Sequence, residues 1–294
     1  MRRILLVVVA AVAAPVAIAA GVAVATAVES PNTGTSTPTS AVPSPQPTPP
    51  AIAPPSPPPS PAASTPTPVT AEVVLHGPRS ANKVALTFDA DLSDWALSRV
   101  RDGRYPEQVN TEVLGELESS KTAATVFVTG LWAEEYPAAM RRIAGNPRLE
   151  LANHTFNHDA WTDNCYGLPT VEGRASKAAQ VTKTAEIIRS YTGSSPTFFR
   201  FPGLCHSQQD VDLVASLGET SVDVDVETSD AFAEDADRTA SGILSEIRPG
   251  SIVLFHLNGG PNAPATAQIV RELLPALKAR GLQPVTLTEL LRQP

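Results

Sequence analysis

Between residues 84 and 287 the chain repeats one pattern: a short apolar run, a charged or polar end, then a stretch of helical periodicity. The strand-like runs occupy 84–88, 123–128, 149–152, 197–200, 221–226, 252–255 and 283–287. Helix-like stretches between most of them include 108–119, 171–191, 208–217 and 265–279. Arg280 and Gly281 close the last of these, a basic residue and a glycine where a helix C-terminus favours both. Strand and helix alternating about seven times predicts an α/β fold with a parallel sheet, and a closed (β/α) barrel is the economical solution. In such folds active sites gather at the strand ends.

The chain before residue 71 lacks this pattern. Arg2 and Arg3 precede an almost uninterrupted apolar run over 4–28, which reads as an export signal or a membrane anchor. Ala25-Thr26-Ala27 suits cleavage, whereas the length of the run suits a span of roughly 20 residues despite Pro15. Either reading puts the rest of the chain outside the cytoplasm, secreted or anchored at the cell envelope, with membrane contact only through this segment. Residues 29–70 hold 15 of the chain's 29 prolines and one charge, Glu29. Such a stretch cannot bury enough apolar surface to offset its ordering entropy. An extended spacer is expected, reaching on the order of 100 Å at about 3.1 Å per residue.

That leaves 71–294 as one domain. Without Arg2, Arg3 and Glu29, the 22 basic and 30 acidic residues become 20 and 29, a net of −9. An acidic domain with no basic patch disfavours nucleic acid, and a neutral substrate fits better. A monomer is expected. Cys165 and Cys205 lie in this exported part, where a disulfide and two free thiols are both open.

The ends of the apolar runs carry the chemistry. Asn153-His154-Thr155-Phe156-Asn157-His158 spaces two histidines four apart, so a single turn can aim two imidazoles at one metal ion. A solvated helix face would show the same spacing. Leu86-Thr87-Phe88-Asp89-Ala90-Asp91 sets two carboxylates just past the first strand. A metal hydrolase needs one carboxylate as ligand and another group as general base, although a capping turn uses the same residues. Phe199-Arg200-Phe201-Pro202-Gly203 ends a strand in an arginine able to hold a carboxylate by bidentate hydrogen bonds. Gly203 permits close approach of a backbone N–H to a developing oxyanion. Asp225-Val226-Glu227-Thr228-Ser229-Asp230 clusters further carboxylates at a strand end. Ser251 to His256 closes a very apolar strand on an imidazole, suited to proton donation and raised in pKa by a nearby aspartate.

These five pieces, in this order, resemble the NodB-homology polysaccharide deacetylases (carbohydrate esterase family 4) over roughly residues 84–291. The resemblance implies a distorted (β/α) barrel, a divalent metal (commonly zinc), and removal of acetyl groups from N-acetylglucosamine polymers or acetylated xylan. It implies that His154 and His158 bind the metal, that Asp89 is the catalytic base and that Arg200 tethers it. It further implies an oxyanion-stabilising N–H at Gly203, His256 as the acid tuned by Asp230, and Leu254 lining the acetate pocket. Three positions depart from the family. Ala90 stands where the second of two adjacent aspartates serves as a ligand. Asp91, one residue later, either completes an Asp–His–His set or exchanges roles with Asp89. Gly203 replaces an aromatic and so removes one wall of the groove, while Ala231, followed by Phe232, replaces a tryptophan. Two rival readings stand beside the deacetylase: a degenerate glycan-binding module, and a metal-dependent amidase or peptidase acting on wall peptides.

Overall fold

The computed structural model of the chain describes residues 70–259 and 263–292. The apolar run over 4–28 and all of the proline-rich spacer except Thr70 lie outside the described residues. Eight strands pair in parallel: β1 (Lys83–Ala90), β2 (Ala124–Val128), β3 (Leu149–Asn153), β4 (Phe198–Phe199), β5 (Thr220–Ser221), β6 (Val226–Glu227), β7 (Ile252–His256) and β8 (Gln283–Val285). The α-helices among the described residues are α1 (Asp94–Arg101), α2 (Thr111–Ser119), α3 (Gly130–Glu135), α4 (Pro137–Ala144), α5 (Arg174–Thr192), α6 (Gln208–Ser216), α7 (Ala236–Glu246), α8 (Thr266–Ala279) and α9 (Leu287–Leu291). Side-chain caps trim the expected spans. Asn110 accepts the Val113 N–H, so α2 starts at Thr111 and not at 108. Thr286 caps α9, so the strand expected over 283–287 stops at Val285.

The strand order is β5-β4-β3-β2-β1-β7-β6, with β8 against the start of β1. The single strand expected over 221–226 is therefore two, β5 laddered to β4 and β6 laddered to β7. The residues between them, 222–225, are too few for a crossover. One extended segment thus serves both ends of the order, and the ring closes through the chain instead of through a continuous ladder. This is the distortion of the barrel. Residues 74–77 lie across the seam: the Val74 N–H donates to Ser221 O at 2.9 Å, and the Gly77 N–H donates to Gly250 O at 2.8 Å. Asp225 belongs to this base too, accepting from Arg79 Nη2 at 2.7 Å.

Strand parity sorts the core into two layers. On β1, Val84, Leu86, Phe88 and Ala90 face the helices and join Leu114, Leu117 and Trp132. Ala85 points inward, against Phe127, Ala152, Ile252 and Val285. Thr87 and Asp89 continue the inward face towards the carboxyl end of the strand.

Cys165 and Cys205 are joined as a disulfide across 40 positions, which pins the loop between β3 and α5 to the turn after β4. Replacing both with Ser is expected to lower the unfolding free energy by about 3–4 kcal/mol, the loop-closure value for this span. Urea denaturation checks it; an unchanged midpoint would mean that packing alone holds the loop.

Candidate active site

The sequence motifs meet at the carboxyl ends of β1, β3, β4 and β7. Parallel register sets Asp89 of β1 beside His256 of β7. The histidine segment is a bent loop and not a helical turn, with φ of 68° at Thr155 and 61° at His158. Its own polar side chains set the bend. The Thr155 N–H donates to Asn153 Oδ1 and the His158 N–H to Thr155 Oγ1, each at 3.1 Å.

This bend brings His154 Nε2 to 3.3 Å and His158 Nε2 to 3.6 Å from Asp91 Oδ1. His154 Nδ1 lies 2.9 Å from the carbonyl oxygen of Arg200. A carbonyl only accepts, so Nδ1 carries the hydrogen and Nε2 is the ring atom turned to Asp91 and His158, with a lone pair for a cation when the ring is neutral. Asp91 Oδ1 is buried yet has no hydrogen-bond partner among the described residues. One donor atom from each of Asp91, His154 and His158 lies within 4.8 Å of the others. An unanswered buried carboxylate oxygen beside two imidazole nitrogens carries a full desolvation penalty, which a bound cation would remove. The donor set fits a divalent metal. Burial alone would raise the Asp91 carboxyl, but positive charge at the neighbouring imidazoles, His158 first, would hold it well below the usual carboxylate range.

Asp89 is held differently. Its Oδ1 accepts from Arg200 Nη1 at 2.7 Å, and its Oδ2 lies 3.7 Å from His154 Nε2. The bidentate grip expected of Arg200 is not formed. Its Nε donates to Val222 O at 3.2 Å and its Nη2 to Asp223 O at 3.5 Å, so the β5–β6 segment takes the remaining N–H groups.

Across the site, His256 Nδ1 lies 2.8 Å from Asp230 Oδ1, and the His256 backbone N–H donates to Asp230 Oδ2 at 2.9 Å. Burial acts to depress the imidazole, but the hydrogen bond and charge of Asp230 outweigh it and raise the pKa to about 9. Asp89, Asp91, His154, His158, Gly203, Leu254 and His256 line one cavity of about 380 Å³, while Arg200 and Asp230 are fully buried behind it. Sequence reasoning missed Asn258, whose Oδ1 accepts the Asp91 N–H at 2.9 Å, and Thr266, whose hydroxyl donates to Asp230. Asn258 stands two residues past His256, a parity signal that was present in the sequence. His206 pairs with Asp223 at 3.0 Å.

Residues 76–222 match the family model described as polysaccharide deacetylase. The chain belongs to that family. It is 31% identical over 217 residues to a chitooligosaccharide deacetylase of Sinorhizobium fredii, covering 69% of this chain and 91% of that one. It is 28% identical over 211 residues to a peptidoglycan-N-acetylglucosamine deacetylase of Bacillus cereus, covering 72% and 69%. Among solved structures, a family 4 acetyl xylan esterase from Clostridium thermocellum, in complex with a cobalt ion, aligns with a TM-score of 0.56 at 26% identity, covering 70% of this chain and 89% of that one. The barrel, closed through its β5–β6 segment, is this deacetylase family's distorted (β/α) fold.

Behind His154, Asn153 Nδ2 donates to Glu219 Oε1 at 2.9 Å. Burial pushes the Glu219 carboxyl up to about 8, against the lowering effect of that bond. From its ordinary 4.5 up to about 8, the carboxyl is neutral when folded and ionised when unfolded. Folding stability is therefore undiminished below the lower value and declines as pH rises through this window, on the order of 1 kcal/mol per pH unit. Glu219→Gln keeps the acceptor for Asn153 and removes the titration. Its thermal midpoint is expected to fall less than the wild type's between pH 5 and pH 8; an equal fall would assign the decline to another group.

Proposed function

We propose that the chain is a zinc-dependent deacetylase of an N-acetylglucosamine-containing glycan, acting outside the cytoplasm at the end of a proline-rich tether. The carrying observation is the unanswered Asp91 oxygen beside His154 and His158, in a cavity shared with Asp89 and His256. Two imidazoles and one carboxylate with an open side are the donor set of a catalytic zinc site. A cation held there would polarise the acetyl carbonyl and acidify an adjacent water. The named activities of the Sinorhizobium and Bacillus relatives support an N-acetylated sugar as substrate.

The protein groups divide the proton work. Asp89, fixed by the Arg200 guanidinium, takes the proton of the attacking water. Gly203 lines the cavity, and its backbone N–H would stabilise the developing oxyanion. Leu254 offers an apolar surface to the acetyl methyl. His256, kept protonated through neutral pH by Asp230, delivers its proton to the departing amine. Every group in this scheme comes from one chain, so a monomer suffices, with membrane contact left to residues 4–28. The Asp89–Arg200 and Asp230–His256 pairs are both intact, which a degenerate binding module would not need.

The intact chain, stripped of metal and reloaded with zinc, is expected to release acetate from N-acetylglucosamine oligomers, peptidoglycan or acetylated xylan. Zinc binding with no acetate from any of them would overturn the proposal. His256→Ala should lower turnover by about 10²–10⁴-fold with metal content unchanged. Equal loss of metal would instead make His256 a ligand. Turnover should decline as pH rises through about 9, where His256 loses its proton. Asp230→Asn removes the charge that raises this pKa, so the alkaline limb of the pH–rate profile should move to lower pH; an unmoved limb would assign the titration elsewhere.

A further inference from the structure

Tyr166 combines three properties that no requirement of the fold explains together. It is 81% exposed, it sits in a turn that disfavours it, and it lines the active-site cavity. The Leu168 N–H donates to Cys165 O at 2.9 Å, with φ of 51° at Tyr166 and 73° at Gly167. Positive φ at both central residues marks a type I′ turn. Glycine is at home in the second position, but a bulky side chain in the first costs on the order of 1–3 kcal/mol. Asparagine would make the same turn at lower cost. The aromatic ring is therefore not there for the turn.

The turn is nonetheless fixed. The Cys165–Cys205 disulfide anchors its leading end. Behind it, the Ala160 N–H donates to Pro169 O at 2.8 Å and the Val171 N–H to Ala160 O at 2.9 Å. This loop packs against Gly203, which itself has φ of 61°. A Cβ on Gly203 would lie 2.6 Å from Cys165 Sγ and 2.9 Å from Tyr166 Cδ2, closer than real contacts allow. The loop thus occupies the space a side chain at 203 would need, and a glycine is what lets it do so. An aromatic wall absent from the turn after β4 is supplied by another loop stapled onto that turn.

We propose that Tyr166 is a glycan-stacking residue, its ring receiving a pyranose face of an N-acetylhexosamine oligomer next to the sugar that enters the cavity. This rests on the deacetylase reading of the same site. A phenol ring offers a flat apolar face with few torsions to order on binding, and its hydroxyl keeps the outer edge in water. Tyr166 touches the substrate away from the reacting atoms, so it acts on binding and specificity.

The test compares the intact wild-type chain with Tyr166→Ala and Tyr166→Phe. Calorimetric titration with the N-acetylglucosamine tetramer is run beside acetate-release kinetics on the tetramer and hydrolysis of 4-nitrophenyl acetate. Tyr166→Ala should weaken tetramer binding and raise its KM by about tenfold, with kcat and ester hydrolysis held within about twofold, and Tyr166→Phe should match the wild type. An unchanged tetramer KM and affinity in Tyr166→Ala would overturn the proposal. Parallel losses in ester hydrolysis and thermal midpoint would also overturn it, by making the role structural. If the wild type binds the tetramer but releases no acetate, the deacetylase reading fails and the binding comparison still decides the stacking role. If it hydrolyses the ester but binds no tetramer, the stacking proposal fails and the hydrolase stands.

Discussion

A guanidinium buried completely inside a barrel must be answered on every side, and Arg200 is. Its Nη1 donates to Asp89 on β1, and its Nε and Nη2 reach the carbonyls of Val222 and Asp223 in the segment that closes the ring. Its own carbonyl holds His154 Nδ1. The Phe127 ring lies 4.1 Å from its Cζ, so one face of the charge meets an aromatic π-system. One residue therefore joins the Asp89 carboxylate, the barrel seam and His154, one of the three residues that could hold a metal. Removing it would leave Asp89 buried without its cation, a loss of several kcal/mol for a pair of this burial. The catalytic geometry and the closure of the barrel are in this sense one structure.

Most of the strands were legible because each is a short apolar run ending in a charged or polar residue. The split of 220–227 into β5 and β6 was not, because valine and acidic residues alternate without a break from Val222 to Glu227 and only its two neighbours, β4 and β7, divide it. The Arg200 hydrogen bonds were hidden for the same reason, since two of their acceptors are main-chain oxygens of that segment. The bent histidine loop was read as one turn because a spacing of four suits a helix. Its positive φ angles go with hydrogen bonds accepted by the Asn153 and Thr155 side chains, which no periodicity records.

The Asp89-Ala90-Asp91 triplet was the least certain part of the sequence and yields to strand parity. Residues two apart share a face, so Asp89 and Asp91 both point to the site, while Ala90 turns outward into the core between sheet and helices. Asp91 follows the strand end, where Asn258 Oδ1 accepts its backbone N–H at 2.9 Å. The two kinds of charge are then driven apart: Asp91 is held ionised among imidazoles, and His256 is held protonated by Asp230. In the proposed scheme these are the ligand and the acid, and the base, Asp89, is held by Arg200.

In the proposed site Asp91 holds the metal and Asp89 does not. The most direct measurement is the zinc content of purified Asp91→Asn and Asp89→Asn chains after dialysis against a zinc-buffered solution. Asp91→Asn is expected to lose the ion, whereas Asp89→Asn is expected to retain it and lose turnover. Zinc retained by Asp91→Asn and lost from Asp89→Asn would contradict this assignment and exchange the two roles.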